Sequence, residues 1–269
     1  MNRRSIWLLS VVAFGYALLY VPIVSVVIYS FNDSRLVTLW GGFSLRWYAG
    51  LLSDRELLAA AWLSLRIAFV SATFATALGA LVALALHRVR RLRGRLLLSG
   101  MVAAPLVMPE IITGLSLLFL FISMADLVGW PASRGATTIT IAHITFSLAF
   151  VVVVVRSRLA AMDESLEEAA MDLGGRPIAV FFDVTVPMLL PALISGWLLA
   201  FTLSLDDLVI SSFVSGPGAT TLPMFIFAKV RLGVTPDINA ITTIIIVLVA
   251  VAVTTAAVLS SRQPRAKGT

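Results

Sequence analysis

The chain has 269 residues, of which 59% are hydrophobic and 13% charged, with a net charge of +6 and no cysteine. Soluble domains average about 45–50% apolar and 25% charged residues, so the composition excludes an ordinary soluble domain. The missing cysteines exclude structural disulfides, thiol redox chemistry and Cys-ligated metal. The basic residues cluster beside apolar blocks, which points to membrane edges and not to nucleic acid.

The apolar blocks are long enough to cross a bilayer as helices. Arg3 and Arg4 precede a run from Ile6 to Tyr29. It is too long for a signal-peptide core and no small-residue cleavage site follows, so it reads as an uncleaved first span. Asn32 to Glu56 is polar and carries Trp40, Trp47 and Tyr48, residues that favour the headgroup level. An interfacial loop with a short amphipathic helix is expected there. Leu57 to Leu86 is the second span, with Arg66 in its outer third. The run His87 to Arg95 is densely basic and includes Arg88, Arg90, Arg91 and Arg93. A short basic loop belongs on the cytoplasmic side, which places the N-terminus there as well. These arginines set topology and meet anionic lipid. Leu97 to Met124 is the third span, interrupted by Pro105 and Pro109. After a short outer loop, Thr138 to Val155 returns the chain to the cytoplasm at Arg156 and Arg158. Pro187 to Val214 is the fifth span. Ser215 to Asn239 is an outer segment with a short surface helix over Pro223 to Arg231. Ile238 to Leu259 is the last span, and its tail carries Arg262, Arg265 and Lys267. The expectation is an all-α membrane protein of six spans with both ends cytoplasmic.

Between the fourth and fifth spans lies a charged cytoplasmic loop, residues 157–186. Its pattern is helix, break, helix. Ser165 is placed to cap a helix that Glu168 completes as a capping box. Asp163, Glu164 and Glu167 crowd the positive end of that helix. Gly174 or Gly175 supplies a left-handed stop, and Pro177 suits the first turn of a second helix. The spacing is Glu168-Ala169-Ala170, three residues, Gly174, then Pro187 after a further twelve. This resembles the loop by which permease subunits of ABC importers dock an ATPase, with Val184 and Val186 standing where that family usually has Ile and Leu. The resemblance covers nearly the whole chain and is strongest to permeases of polyamine uptake systems. It is carried by Ala104-Pro105-Leu106-Val107-Met108-Pro109-Glu110, Leu203-Ser204-Leu205-Asp206-Asp207-Leu208 and Ser215 to Pro223.

The residues that could do chemistry are few. The only lysines, Lys229 and Lys267, each follow Ala, so there is no phosphate-binding Gly-Lys-Ser/Thr. No nucleophile elbow or zinc-protease motif is present, and His87 and His143 form no ligand pair, so no metal site is expected. Each histidine reads as structural or interfacial. Carboxylates within spans cost roughly 2.5–3.5 kcal/mol, and persist where they line a wet cavity or pair with a charge. Asp206 and Asp207 lie about 29 Å along the fifth span, near its outer end, and about 100° apart around a helix. One is expected to face a pathway and the other a structural partner. Arg66, at similar depth on the antiparallel second span, is the obvious partner. Glu110 follows Pro109 half-way along the third span, which reads as a broken helix beside a cavity. Trp197, Phe201 and Trp62 offer aromatic faces to a cation.

The resemblance implies a type I ABC importer permease fold, one permease domain over residues 1–269, with the coupling loop inside it. It implies residence in the bacterial inner membrane and a small polycation as solute, putrescine first and spermidine or another cation as the alternative. A homologous permease would complete a heterodimer. Two ATPase subunits would bring ATP and Mg, this chain needing no cofactor, and a periplasmic binding protein would deliver solute. Glu167, Glu168, Ala169, Ala170, Gly174 and Pro187 are the expected coupling residues. Glu110, Asp206, Asp207, Trp197 and Phe201 are the expected pathway residues. An ATP-independent channel or proton-coupled carrier has no use for an ATPase-docking loop. A membrane enzyme lacks a nucleophile, a metal cluster or a phosphate loop.

Overall fold

A computed structural model describes residues 3–35, 39–89, 93–163, 165–233 and 236–261. Arg90, Arg91, Glu164, Arg262, Arg265 and Lys267, named above for charge or topology, lie outside them, as do the side chains of Arg3 and Arg4. The described chain is almost wholly helical: α1 (Arg3–Tyr29), α2 (Arg46–Ser53), α3 (Arg55–Arg88), α4 (Arg95–Val107), α5 (Glu110–Val128), α6 (Ala136–Ala160), α7 (Ser165–Asp172), α8 (Pro177–Val180), a π-helical turn (Phe181–Thr185), α9 (Val186–Leu205), α10 (Val209–Val214), α11 (Leu222–Leu232) and α12 (Pro236–Ser261).

Among the described residues, five helical stretches are long and apolar enough to cross a membrane: Trp7–Tyr29, α3, α5, α6 and the continuous run Pro177–Leu205. The sixth expected span falls on α12, which is apolar over Pro236–Val251. Two spans depart from the expected single helices. The third is two helices, because Pro109 lacks an N–H and caps α5 after a break at Met108. The fifth ends at Leu205, short of the expected Val214, and its remainder is the separate helix α10.

The chain packs as two units, Met1–Leu58 with Ile226–Thr269, and Ala59–Phe225. In the first, α12 packs on α1 and α2. The loop before α2 is organised by the buried Asn32. Its amide donates to the Leu39 carbonyl at 2.7 Å and accepts from the Gly41 N–H at 2.8 Å, while the Trp47 indole donates to the Asn32 carbonyl at 2.7 Å. Lys229 lies 3.8 Å from both Asp54 and Asp237.

The second unit is built around α6. Val151, fully buried, is the knob between α3 and α9. A Cβ added at Gly79 of α3 would come within 2.8 Å of it, and one at Gly196 of α9 within 3.4 Å. Lipid gives helices no hydrophobic reason to associate, so close approach over small residues supplies the packing energy. Ala72, Ala75 and Ala83 of α3 and Ala200 of α9 extend the same seam. A second cluster joins α5, α6 and α10 through Leu117, Phe121, Ile139, Phe146, Ile210 and Val214. There a Cβ at Gly114 would strike the Phe213 ring at 2.7 Å, so α10 lies directly on α5.

Candidate functional site

The loop between α6 and α9 forms the expected elbow. Its helix starts at Ser165, and the cap is Asp163, not Ser165: the Ser165 N–H donates to the Asp163 carboxylate at 3.0 Å. That hydrogen bond holds the Asp163 carboxyl below the usual carboxylate range. The helix ends in a Schellman turn. Gly174 has φ +89°, its N–H donates to the Met171 carbonyl at 2.9 Å, and the Gly175 N–H donates to the Ala170 carbonyl at 3.0 Å. Pro177 opens α8 as expected. The π-helical turn then runs straight into α9 just before Pro187, one of the local adjustments that accommodate a proline's missing N–H. The elbow is therefore a rigid extension of the fifth span.

Its outer surface carries large apolar side chains among charged ones. Leu173 is 91% and Ile178 75% exposed, with Leu166, Met171 and Phe182 also exposed. Glu168 and Ala169 are exposed beside them. Glu167 turns the other way: its carboxylate accepts from the Arg88 guanidinium, at the end of α3, and from the Thr185 hydroxyl at 2.6 Å. This contact puts the basic end of α3 and the elbow on one face of the molecule. At the opposite face, the Thr138 hydroxyl at the start of α6 donates to the Val214 carbonyl at 2.7 Å. Beside the elbow, a cleft of about 250 Å³ is walled by His87, Met162, Asp163, Glu168 and Met171.

Within the membrane-spanning part, the break between α9 and α10 carries a polar cluster. The Asp207 carboxylate caps α10, accepting from the Ser211 N–H at 2.7 Å and the Ile210 N–H at 3.2 Å. It also lies 3.1 Å from His143 Nε2 on α6, and His143 Nδ1 lies 2.6 Å from the Ser204 hydroxyl. Ser71 of α3 donates to Ser204 at 3.0 Å. An ionised Asp207 requires Nε2–H to donate to it, leaving Nδ1 to accept from Ser204. The chain Ser71, Ser204, His143, Asp207 is then satisfied at every step. It has the residue types of a hydrolytic triad, but Ser204 and His143 are buried at 5% and 2% exposure and Ser204 is held from both sides. The cluster fastens helices.

The expected partner of these aspartates, Arg66, is not part of it. Arg66 shares the exposed face of α3 with Trp62 and Phe69, whereas Ser64, Ile67, Ala68 and Ser71 make the buried face. Helical periodicity carries Arg66 away from α9, and it makes no hydrogen bond or ion pair among the described residues. His143 takes its place. The signal for it was present: one histidine in an otherwise apolar span, opposite a span containing two aspartates.

Asp206 caps α9 with its backbone and keeps its carboxylate exposed, so the two aspartates do divide between a structural and an exposed position. Glu110 is exposed and opens α5, where its charge meets the positive end of the helix. It lies one turn before Gly114, where an added Cβ would come within 3.3 Å of Ile210, so α5 meets α10 one turn beyond Glu110. Trp197 stacks on Phe201 with centroids 5.2 Å apart and meets Phe69 edge-on at 5.6 Å. Its indole N–H donates to Thr73 at 3.1 Å.

Broken spans around a polar cluster, and a rigid apolar-faced elbow on one side, define a membrane transport permease. Residues 75–263 match the family described as binding-protein-dependent transport system inner membrane component, and the chain belongs to that family. It is 57% identical over 243 residues to the putrescine transport system permease protein PotI of Escherichia coli (strain K12), covering 90% of this chain and 86% of that one. It is 46% identical over 233 residues to the spermidine/putrescine transport system permease protein PotC of Haemophilus influenzae, covering 87% and 88%. Its fold matches that of a bacterial ABC transporter involved in the import of the acidic polysaccharide alginate, with TM-score 0.71 at 18% identity over 98% of this chain and 99% of the other. The chain is thus a multi-pass permease of the inner membrane.

Proposed function

We propose that this chain is one permease half of an ATP-driven importer of putrescine. The observation that carries the ATP-driven part is the elbow: a Schellman-stopped helix with exposed apolar residues, followed by a second helix that is continuous with a membrane span. A face of that kind on the aqueous side needs a protein partner. The solute is inferred from the relatives, the more similar of which is named for putrescine.

A homologous permease completes the pathway, two ATPase subunits dock on the elbows with ATP and Mg, and a periplasmic binding protein delivers solute. Six spans with both ends in the cytoplasm complete the reading. Putrescine is a dication with an apolar middle. Asp206 and Glu110, both exposed, offer carboxylates to its ammonium ends, and the Trp197–Phe201 stack offers a π-face. Asp207 holds the break that presents Asp206. Spermidine is the second reading, favoured by the likeness to a permease named for both amines.

The test is uptake by the complex purified from native membranes and reconstituted in vesicles. Putrescine accumulation that requires ATP and the binding protein is expected, with spermidine competing weakly. Accumulation without ATP would overturn the reading in favour of a channel or carrier.

A further inference from the structure

The elbow joins α9 through the backbone and reaches α3 through side chains. Glu167 holds two of them at once. Its carboxylate accepts from Arg88, the last residue of α3, and from Thr185, the last residue of the π-helical turn that leads into α9. Arg88 also reaches the Thr185 hydroxyl at 3.4 Å and lies over the Phe181 ring with its guanidinium carbon 6.0 Å from the centroid. Thr185 is fully buried and Glu167 is 20% exposed, so this knot is partly sheltered from water and screening.

The same two helices are fastened a second time. Ser71 sits roughly 25 Å back along α3, and Ser204 roughly 29 Å on along α9, at 1.5 Å per residue. These two hydroxyls hydrogen-bond at 3.0 Å, and Ser204 carries the link to His143 and Asp207. α3 and α9 are therefore tied twice, by Glu167 at the elbow and by Ser71 at the middle of α3 with Ser204 near the end of α9. A displacement of α7 applied at Glu167 moves both helices together and reaches the break that sets Asp206. The π-helical turn places Thr185 within reach of Glu167, and such turns recur at functional sites.

We infer that Glu167, with Arg88 and Thr185, is a positioning yoke that ties the elbow to α3 and α9 and so converts elbow movement into opening of the pathway. Glu168, on the exposed face, belongs to the docking surface; Glu167 does not. This rests on the reading of the chain as an ATP-driven permease.

The experiment measures solute moved per ATP hydrolysed by the reconstituted complex, with putrescine as probe, for Glu167→Gln, Thr185→Val and the exchange Arg88→Glu with Glu167→Arg. Thr185→Val keeps the shape and removes the hydroxyl. Energetic coupling between sites is typically worth 5–150-fold, so a fall of about fivefold or more in the ratio is expected for the two single variants, with ATP hydrolysis within about twofold of the parent. The exchanged pair should recover most of the ratio. An unchanged ratio in both single variants would overturn the yoke, and so would failure of all three variants to assemble, since the residues would then serve docking or folding. If the unaltered complex moves no putrescine on ATP, the functional reading itself fails, which is a separate outcome.

Discussion

The two glycines of the elbow are required for different reasons, and substitution separates them. Gly174 sits at φ +89° with no atom within 4 Å of where a Cβ would be. Any penalty there is conformational. A left-handed backbone costs an L-residue roughly 1–2 kcal/mol, with Asn below that range and β-branched residues above it. Gly175 adopts no left-handed angle, but its Cβ would lie 2.7 Å from the Ala170 carbonyl oxygen and 2.7 Å from Val180 Cγ2. Its penalty is steric, about 1–3 kcal/mol for overpacking, and one offending atom belongs to the backbone. The expected order of damage is therefore Gly174→Asn, then Gly174→Ala, then Gly174→Val, with Gly175→Ala as harmful as Gly174→Ala. A shift of 1–2 kcal/mol changes the population of the intact elbow by a factor of about 5–30. Hydrogen exchange at the amides of residues 174 and 175, both bonded into the Schellman turn, reads that population, and ATP-driven putrescine uptake reads its consequence. Trimming Val180 to Ala should leave Gly175→Ala impaired, because the carbonyl contact remains. Wild-type exchange and uptake in Gly174→Val, or equal damage from Asn and Val, would refute the conformational argument.

His143→Ala should lower the detergent melting temperature of the complex more than Arg66→Ala does, at about 0.6–1.7 kcal/mol per lost interhelical hydrogen bond; the reverse order would mean that Arg66 is the true partner of Asp207. Asp206→Asn and Glu110→Gln should each reduce putrescine uptake per folded complex, and unchanged uptake in the double variant would remove both from the pathway. Thiol labels at Gly94 and Gly218 should react from opposite sides of sealed vesicles; reaction of both from one side would break the six-span topology. The lowered carboxyl of Asp163 stabilises the start of α7 above the ordinary carboxylate pKa of about 3.9. That contribution fades as pH falls through the lowered value, so the protection of the Ser165 amide relative to its intrinsic exchange rate should fall there and not at pH 5–7, where an early fall would argue against the Asp163 cap.

Much of this architecture is written locally. Blocks of apolar residues determine spans because a helix is the structure that satisfies its own backbone in lipid. The end of α3 meets the elbow through the contact from Arg88 to Glu167. Gly174 and Pro177 determine a helix stop and a helix start because their backbone preferences act within a turn. Pro109 likewise determines the break ahead of Glu110. What the sequence left open was which side chains meet across helices. Arg66 was the reasonable partner for an aspartate on the fifth span by depth alone. The tertiary structure chose His143, because the small residues of α3, α6 and α9 set the rotation of each helix, and that rotation turns Arg66 outward and His143 inward. Glu167 and Glu168 are adjacent and chemically equivalent in the sequence. One turn of α7 against the ends of α3 and the π-helical turn sends the first inward to Arg88 and Thr185 and leaves the second on the surface. The apolar spans follow from local composition; azimuth follows only from packing, and azimuth decides which charges are held in contacts between helices and which stay exposed.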